Sequence, residues 1–314
     1  MTLCIVGRSY LRAVWRRIIG RPSEASDAGE GLSYRVAAFG LVGGFGFLIW
    51  FGVYAGLSLP LAILYFAIYA LLCLAVARLR AEFGSPVHDL YGAGPGQTIV
   101  YVVGTGNIRQ QDLVILSILW WFNRTYIDHP IGTTLEGLQM ANRSRSSSRA
   151  LVWAIALATI ISVVAFFWAW LYYAYATGVA SKWAGGDWRG DEMMQSLQGW
   201  VQNPTQSNPG ALLGVGVGCA ATMLLALART TFIGWPFHPV AYALSANWFA
   251  HLVWLPMLIA WAAKSLTLRY GGLQTYRKAL PLFYGLILGE SVIGCGWSVI
   301  GLLTGRQTYS FWGL

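Results

Sequence analysis

Glu290, in Gly285-Leu286-Ile287-Leu288-Gly289-Glu290-Ser291, is an isolated carboxylate inside an apolar run from Ala279 to Leu303. A carboxylate at the centre of a bilayer costs on the order of 3 kcal/mol, so it must be protonated, paired or facing a wet cavity. Desolvation raises such an acid into a range suited to proton coupling or to contact with a polar solute. The alternative is an interhelical hydrogen bond from the neutral acid, aided by the close approach that Gly285 and Gly289 permit. His88 with Asp89, and Asp128 with His129 before Pro130, are candidate proton relays, because imidazole titrates near neutrality and a neighbouring acid shifts it. Sequence neighbours do not face each other on a helix, which argues against a dyad within either pair. The 4 His show no i, i+3 or i+4 spacing, so neither a metal nor a cofactor is expected. Arg109 and Asp112, at i, i+3, suit a buried ion pair, with anion binding by Arg109 as the sharper alternative.

The elements that must position these residues are membrane helices. Of 314 residues, 56% are hydrophobic and only 11% charged, against roughly 25% in soluble domains, which argues against an ordinary cytoplasmic enzyme. The 46 aromatic side chains (16 Trp, 16 Tyr, 14 Phe), the 37 Gly and a mean hydropathy of +0.54 fit an all-α, polytopic transmembrane bundle. A net charge of +9 raises nucleic acid as a partner, but the basic residues sit between apolar runs, so the bilayer is the expected partner and nucleic acid is not. Cys4, Cys73, Cys219 and Cys295 have no disulfide or zinc spacing.

Six windows approach the ~20 apolar residues that a span needs: 36–57, 59–77, 150–178, 211–228, 248–263 and 279–303. Six Arg before the first span, four Arg between Asn123 and Arg149, and Lys264, Arg269, Arg277 and Lys278 mark the inner side. The segment 179–209, with Trp183, Trp188 and Trp200, should face outward. This orientation suits a bacterial inner membrane with a cytoplasmic N-terminus. Residues 1–35 read as a retained basic segment, either a solvated tail or an amphipathic helix on the membrane surface; residues 36–305 form the transmembrane domain and 306–314 a short tail.

Between Arg80 and Asn123 both flanks should lie inside, yet Asn107-Ile108-Arg109-Gln110-Gln111-Asp112 breaks the apolar content into two short halves. A re-entrant or broken helix resolves this, and the same difficulty recurs between Arg229 and Lys264. Gly84-Ser85-Pro86-Val87-His88 and Gly234-Trp235-Pro236-Phe237-His238 share the pattern Gly-x-Pro-x-His at a constant offset. The pattern suggests a parallel internal repeat, residues 36–122 and 150–263, with a final span at 279–303. Paired Gly/Pro-interrupted segments in corresponding halves point to a transporter's binding site, which makes Gly84, Pro86, His88, Gly234, Pro236 and His238 candidates to line it.

Arg80-Ala81-Glu82-Phe83-Gly84-Ser85-Pro86, Trp235-Pro236-Phe237-His238-Pro239, Leu268-Arg269-Tyr270-Gly271-Gly272-Leu273 and Leu286-Ile287-Leu288-Gly289-Glu290 resemble the signatures of an uncharacterised family of polytopic bacterial membrane proteins. That family is distantly similar to the oligopeptide transporter superfamily, through Arg80, Glu82, Gly84 and Pro86. The resemblance implies correspondence to the C-terminal half of a protein about twice as long, and hence a second polytopic half or a homo-oligomer as partner. It carries no catalytic residue. The expected function is a secondary transporter, or half of one, for a small polar or peptide-like solute, coupled to protons through Glu290. Two alternatives stand beside it: an embedded enzyme acting on lipid-linked substrates with His88, Asp89 or His129 as acid or base, and a non-catalytic scaffold subunit.

Overall fold

Serines mark the starts of the first two long helices. The Ser33 hydroxyl accepts the Val36 amide at 3.4 Å and caps α2 (Tyr34–Ala55). Ser58 precedes Leu59-Pro60, whose proline needs no donor in the first turn of α3 (Leu59–Phe83). The computed structural model describes residues 7–84, 90, 92–123, 126, 129–178, 188–245, 248–306 and 308, and all regular structure among them is helical. An amphipathic α1 (Arg8–Ile18) precedes α2. After α3 come α4 (Pro95–Val103), α5 (Gln110–Leu119), α6 (Pro130–Arg143), α7 (Ser148–Thr177), α8 (Trp188–Gln202), α9 (Pro209–Thr231), α10 (Pro239–Ser245), α11 (Trp248–Leu266) and α12 (Gly272–Thr304). Side chains of His129, Ser147 and Asn208 accept first-turn amides of α6, α7 and α9.

Five helical runs among the described residues are long and apolar enough to cross a membrane: Tyr34–Ala55, Leu59–Glu82, Ser148–Ala176, Pro209–Thr231 and Ala250–Thr304. The 22 residues of α2 alone reach ~33 Å, against a hydrocarbon core of ~30 Å. The chain is therefore an integral, multi-pass membrane protein. The last two of the six expected windows are not separated by a loop. A π-helical turn, Thr267–Gly271, joins α11 to α12, so the basic cluster at Lys264, Arg269, Arg277 and Lys278 lies within one 55-residue helical run. Charge counting locates the cluster but cannot distinguish a loop from a helix that continues through it.

The chain divides into two compact units, residues 1–249 and 250–314. In the first, the hydrophobic core gathers where α3 meets the interrupted segment: Leu57, Ala62, Tyr65 and Phe66 pack with Ile99, Val100, Ile108, Leu113 and Leu116. The interruption expected around Asn107 is present as two short helices, α4 and α5, joined through residues 104–109. α8 packs against α5, α9 against α4, and α6 lies between α3 and α7. No residue in the most apolar stretch of α7 or α9 is buried within the chain, as expected of helices that face lipid. The second unit consists of the run through α11 and α12.

Candidate functional site

Ser58, Tyr65, Tyr69, Cys73 and Arg80 succeed one another at spacings of seven, four, four and seven, which places them on one face of α3. Each meets a partner further along the chain, and the partners follow in the same order. The Ser58 amide donates to Asp112 Oδ1 at 2.7 Å. The Tyr65 hydroxyl donates to the Leu119 carbonyl at 3.1 Å and accepts from the Asn123 side-chain amide. The Tyr69 hydroxyl and Cys73 Sγ lie 3.1 and 3.3 Å from His129 Nε2. Arg80 grips the Glu136 carboxylate through Nε at 2.6 Å and Nη2 at 3.1 Å. α5 and α6 thus lie in turn beside α3, running in the same direction from Ser58 to Arg80 over ~33 Å, comparable to the thickness of the hydrocarbon core.

Of the two forms the sequence allows for the first irregular region, re-entrant or broken, the broken one describes its path. The chain does not simply dip and return before Asn123: α5, a break and α6 together follow α3 from Ser58 to Arg80 as a discontinuous crossing. Asn123 is buried against Tyr65. The stretch between Asn123 and Arg149, whose basic residues suggest an inner-side connection, contains the fourteen-residue α6.

The break is polar and lies midway along α3. Tyr69 is midway between Ser58 and Arg80 along α3, about 16 Å from each. Around it meet the N-terminal end of α4, where Gly94 lies against Asn123, the C-terminal end of α5 at Leu119, and the N-terminal end of α6 at His129-Pro130. Helix N-termini present unpaired amides and partial positive charge, and C-termini the converse, so the junction offers both polarities within the bundle. Tyr65, Asn123 and Tyr126 are each only 1% exposed, and the Tyr126 hydroxyl donates to Asn123 Oδ1 at 3.1 Å. The Tyr126 ring stacks on that of His129 at 6.0 Å. His129 Nδ1 accepts the Ile131 amide at 3.3 Å, which leaves the proton of a neutral ring on Nε2, directed at Tyr69 and Cys73.

The ends of this assembly are pinned. Asp112 is buried, while the Arg109 side chain that clasps it through Nε at 2.8 Å and Nη2 at 3.1 Å is 62% exposed. The i, i+3 spacing thus does form an ion pair, with the carboxylate inside and also holding the Ser58 amide. The tip is latched to the segment before α9: the Thr205 amide donates to Thr105 Oγ1 at 2.8 Å, and the Thr105 and Gly106 amides donate to Thr205 Oγ1 at 3.2 Å and its carbonyl at 2.9 Å. Gly104, at φ 82°, is required here, since a Cβ would stand 2.4 Å from the Gln206 carbonyl carbon.

His238 caps α10 as His129 caps α6: its Nδ1 accepts the Val240 amide at 3.1 Å, and its Nε2 contacts the Arg229 guanidinium. His129-Pro130 and His238-Pro239 thus share the same local device, an imidazole capping a helix that starts with proline. Burial and the adjacent Arg229 charge hold the His238 imidazole below its usual pKa, only partly offset by Glu82. Gly84 ends α3, and Gly234 and Pro236 are exposed between α9 and α10. Glu290 is on α12 in the second unit, exposed among apolar side chains. Pro86, His88, Asp89 and Asp128 lie outside the described residues. Among the described residues no cluster of three or more His, Cys, Asp or Glu converges as a metal site.

The sequence reading missed Tyr65, Tyr69, Cys73, Asn123 and Tyr126. The first three carry a signal, polar atoms at i, i+4 and i+8 in an otherwise apolar helix. No curated protein and no solved structure matches the chain. A family model does, over residues 1–313, and the chain belongs to that family, the family of unknown function DUF6785.

Proposed function

We propose that the protein is a secondary transporter, or one half of one, for a small polar or peptide-like solute, with the break between α5 and α6 as its solute site. The observation that carries this reading is the meeting of two half-helix N-termini and one C-terminus around Tyr65, Tyr69, Asn123, Tyr126 and His129, midway along a membrane-spanning helix. Discontinuous helices that break near the midplane supply backbone donors and acceptors to a solute in a cavity within the bundle. The resemblance of Arg80, Glu82, Gly84 and Pro86 to the oligopeptide transporter pattern supports the substrate class. Glu290, a carboxylate in an apolar helix, is assigned to proton coupling. A Cβ added at Gly40, Gly44, Gly214 or Gly218 would meet nothing within 4 Å beyond its own helix, which supports assembly with a second polytopic half or a second copy on these small-residue faces.

Proteoliposomes loaded with a pH-sensitive dye and challenged with mixed di- and tripeptides test this. Solute-dependent proton entry is expected, lost in Glu290→Gln and in His129→Ala; entry unaffected by Glu290→Gln would remove Glu290 from coupling. Absence of any solute-dependent flux, with the protein folded and oriented, would overturn the transporter reading.

A further inference from the structure

We propose that the junction of α1 and α2 binds the phosphate group of an anionic phospholipid headgroup. Along α1, Arg8, Arg12 and Arg16 follow one stripe at i, i+4, i+8, while Leu11 and Trp15, continued by Ile19 at the C-cap, form the adjoining stripe with exposed apolar side chains. That is the pattern of a helix lying in the membrane interface, with guanidinium groups at headgroup level and aromatic and aliphatic groups below. α1 is tied to the first turn of the spanning helix α2: Arg35 Nε donates to the Ile18 carbonyl at 3.1 Å, and the Tyr10 and Tyr34 hydroxyls lie 3.0 Å apart. The junction therefore sits where α2 enters the hydrocarbon.

An open pocket of about 580 Å³ occupies this junction, lined by Arg17, Arg21 and Arg35 with Gly20, Ser33 and Asp27. Asp27 is paired with Arg17 at 3.0 Å, and that guanidinium holds its carboxyl below the usual carboxylate range. Arg17 is thereby offset, and Arg21 and Arg35 remain as the positive excess facing the pocket. Gly20 shapes the pocket as well. At φ 81° it turns the chain out of α1, and a Cβ there would stand 2.8 Å from Arg35 Nη2, so the guanidinium lies directly over the bare backbone. Two planar guanidiniums beside a serine hydroxyl match the charge and the acceptor oxygens of a phosphate group. The pocket's place at the head of α2, a helix long and apolar enough to span, favours a lipid headgroup over free phosphate as the source.

This inference stands apart from transport, and its test reads binding alone. Full-length protein in neutral detergent is titrated with dioctanoyl phosphatidylglycerol, dioctanoyl phosphatidylcholine or inorganic phosphate, with the thermal midpoint as readout. The phosphatidylglycerol is expected to raise the midpoint saturably and the phosphatidylcholine to leave it unchanged. Arg21→Gln, which spares the α1–α2 contacts, should weaken the apparent affinity roughly fivefold, the effect of one basic residue near a charged surface. Arg21→Gln with Arg35→Gln should abolish it, and Arg149→Gln, outside the pocket, should change it less than twofold. Equal responses to the two lipids, or equal losses in Arg21→Gln and Arg149→Gln, would overturn the site. Inorganic phosphate matching phosphatidylglycerol in affinity, with the same dependence on Arg21, would overturn the lipid assignment.

Discussion

Asp112 and Arg109 form one ion pair but are not equivalent residues. The carboxylate is buried and serves two partners, the Arg109 guanidinium and the Ser58 amide, whereas the guanidinium is largely in solvent. Asp112→Asn should therefore cost about 2 kcal/mol, the scale of a hydrogen bond to a charged group plus an amide left poorly paired. Arg109→Gln should cost less than about 1 kcal/mol, as for other exposed partners. Chemical denaturation in detergent checks the difference, and equal losses would contradict the assignment. His238 gives a second residue-scale expectation. Its folded pKa is depressed, so its contribution to stability is complete above the unfolded value near 6.5 and falls as pH drops below that toward the folded pKa. Protonation would place a proton on Nδ1, against the Val240 amide, and a positive charge beside Arg229. Amide exchange at Val240 should accelerate, beyond the intrinsic pH effect, between pH 7 and pH 5, and His238→Asn, which keeps a capping acceptor without titrating, should remove that acceleration.

At the scale of elements, the discontinuous crossing depends on the latch at its tip. Gly104→Ala meets both a positive φ and a backbone contact, so it should open the Thr105–Thr205 hydrogen bonds, seen as faster amide exchange at Gly106 and Thr205, at a cost of about 2 kcal/mol. Gly214→Ala, with open space around the site, should leave both amides unchanged. Much of this region was legible in the sequence. Arg109 and Asp112 declare their pairing by spacing, and the polar run from Asn107 to Asp112 declares the break. What the sequence could not show was register. Tyr65, Tyr69 and Cys73 look like ordinary helix packing until Asn123 and His129, more than fifty residues away, are placed against them. The link between α11 and α12 was hidden for a different reason. Lys264 to Lys278 carries the charge of a loop, but nothing in charge alone prevents a helix from continuing through it.

In the whole molecule, the transport reading requires the break between α5 and α6 to be a solute site that water can reach, and not a dry polar core. A native reporter already stands there, since Cys73 Sγ lies 3.3 Å from His129 Nε2 and is a free thiol. The other cysteines, Cys4, Cys219 and Cys295, can be replaced by serine or alanine to leave Cys73 alone. The most direct measurement is the reaction of Cys73 in sealed, oriented vesicles with a membrane-impermeant, water-soluble methanethiosulfonate applied from each side in turn. Cys73 is expected to react with this reagent from at least one side, and Tyr126→Trp, which enlarges a side chain already buried in the break, to slow the reaction at least tenfold. A Cys73 that reacts only with lipid-soluble maleimide, and never with the water-soluble reagent from either side, would contradict the transport reading.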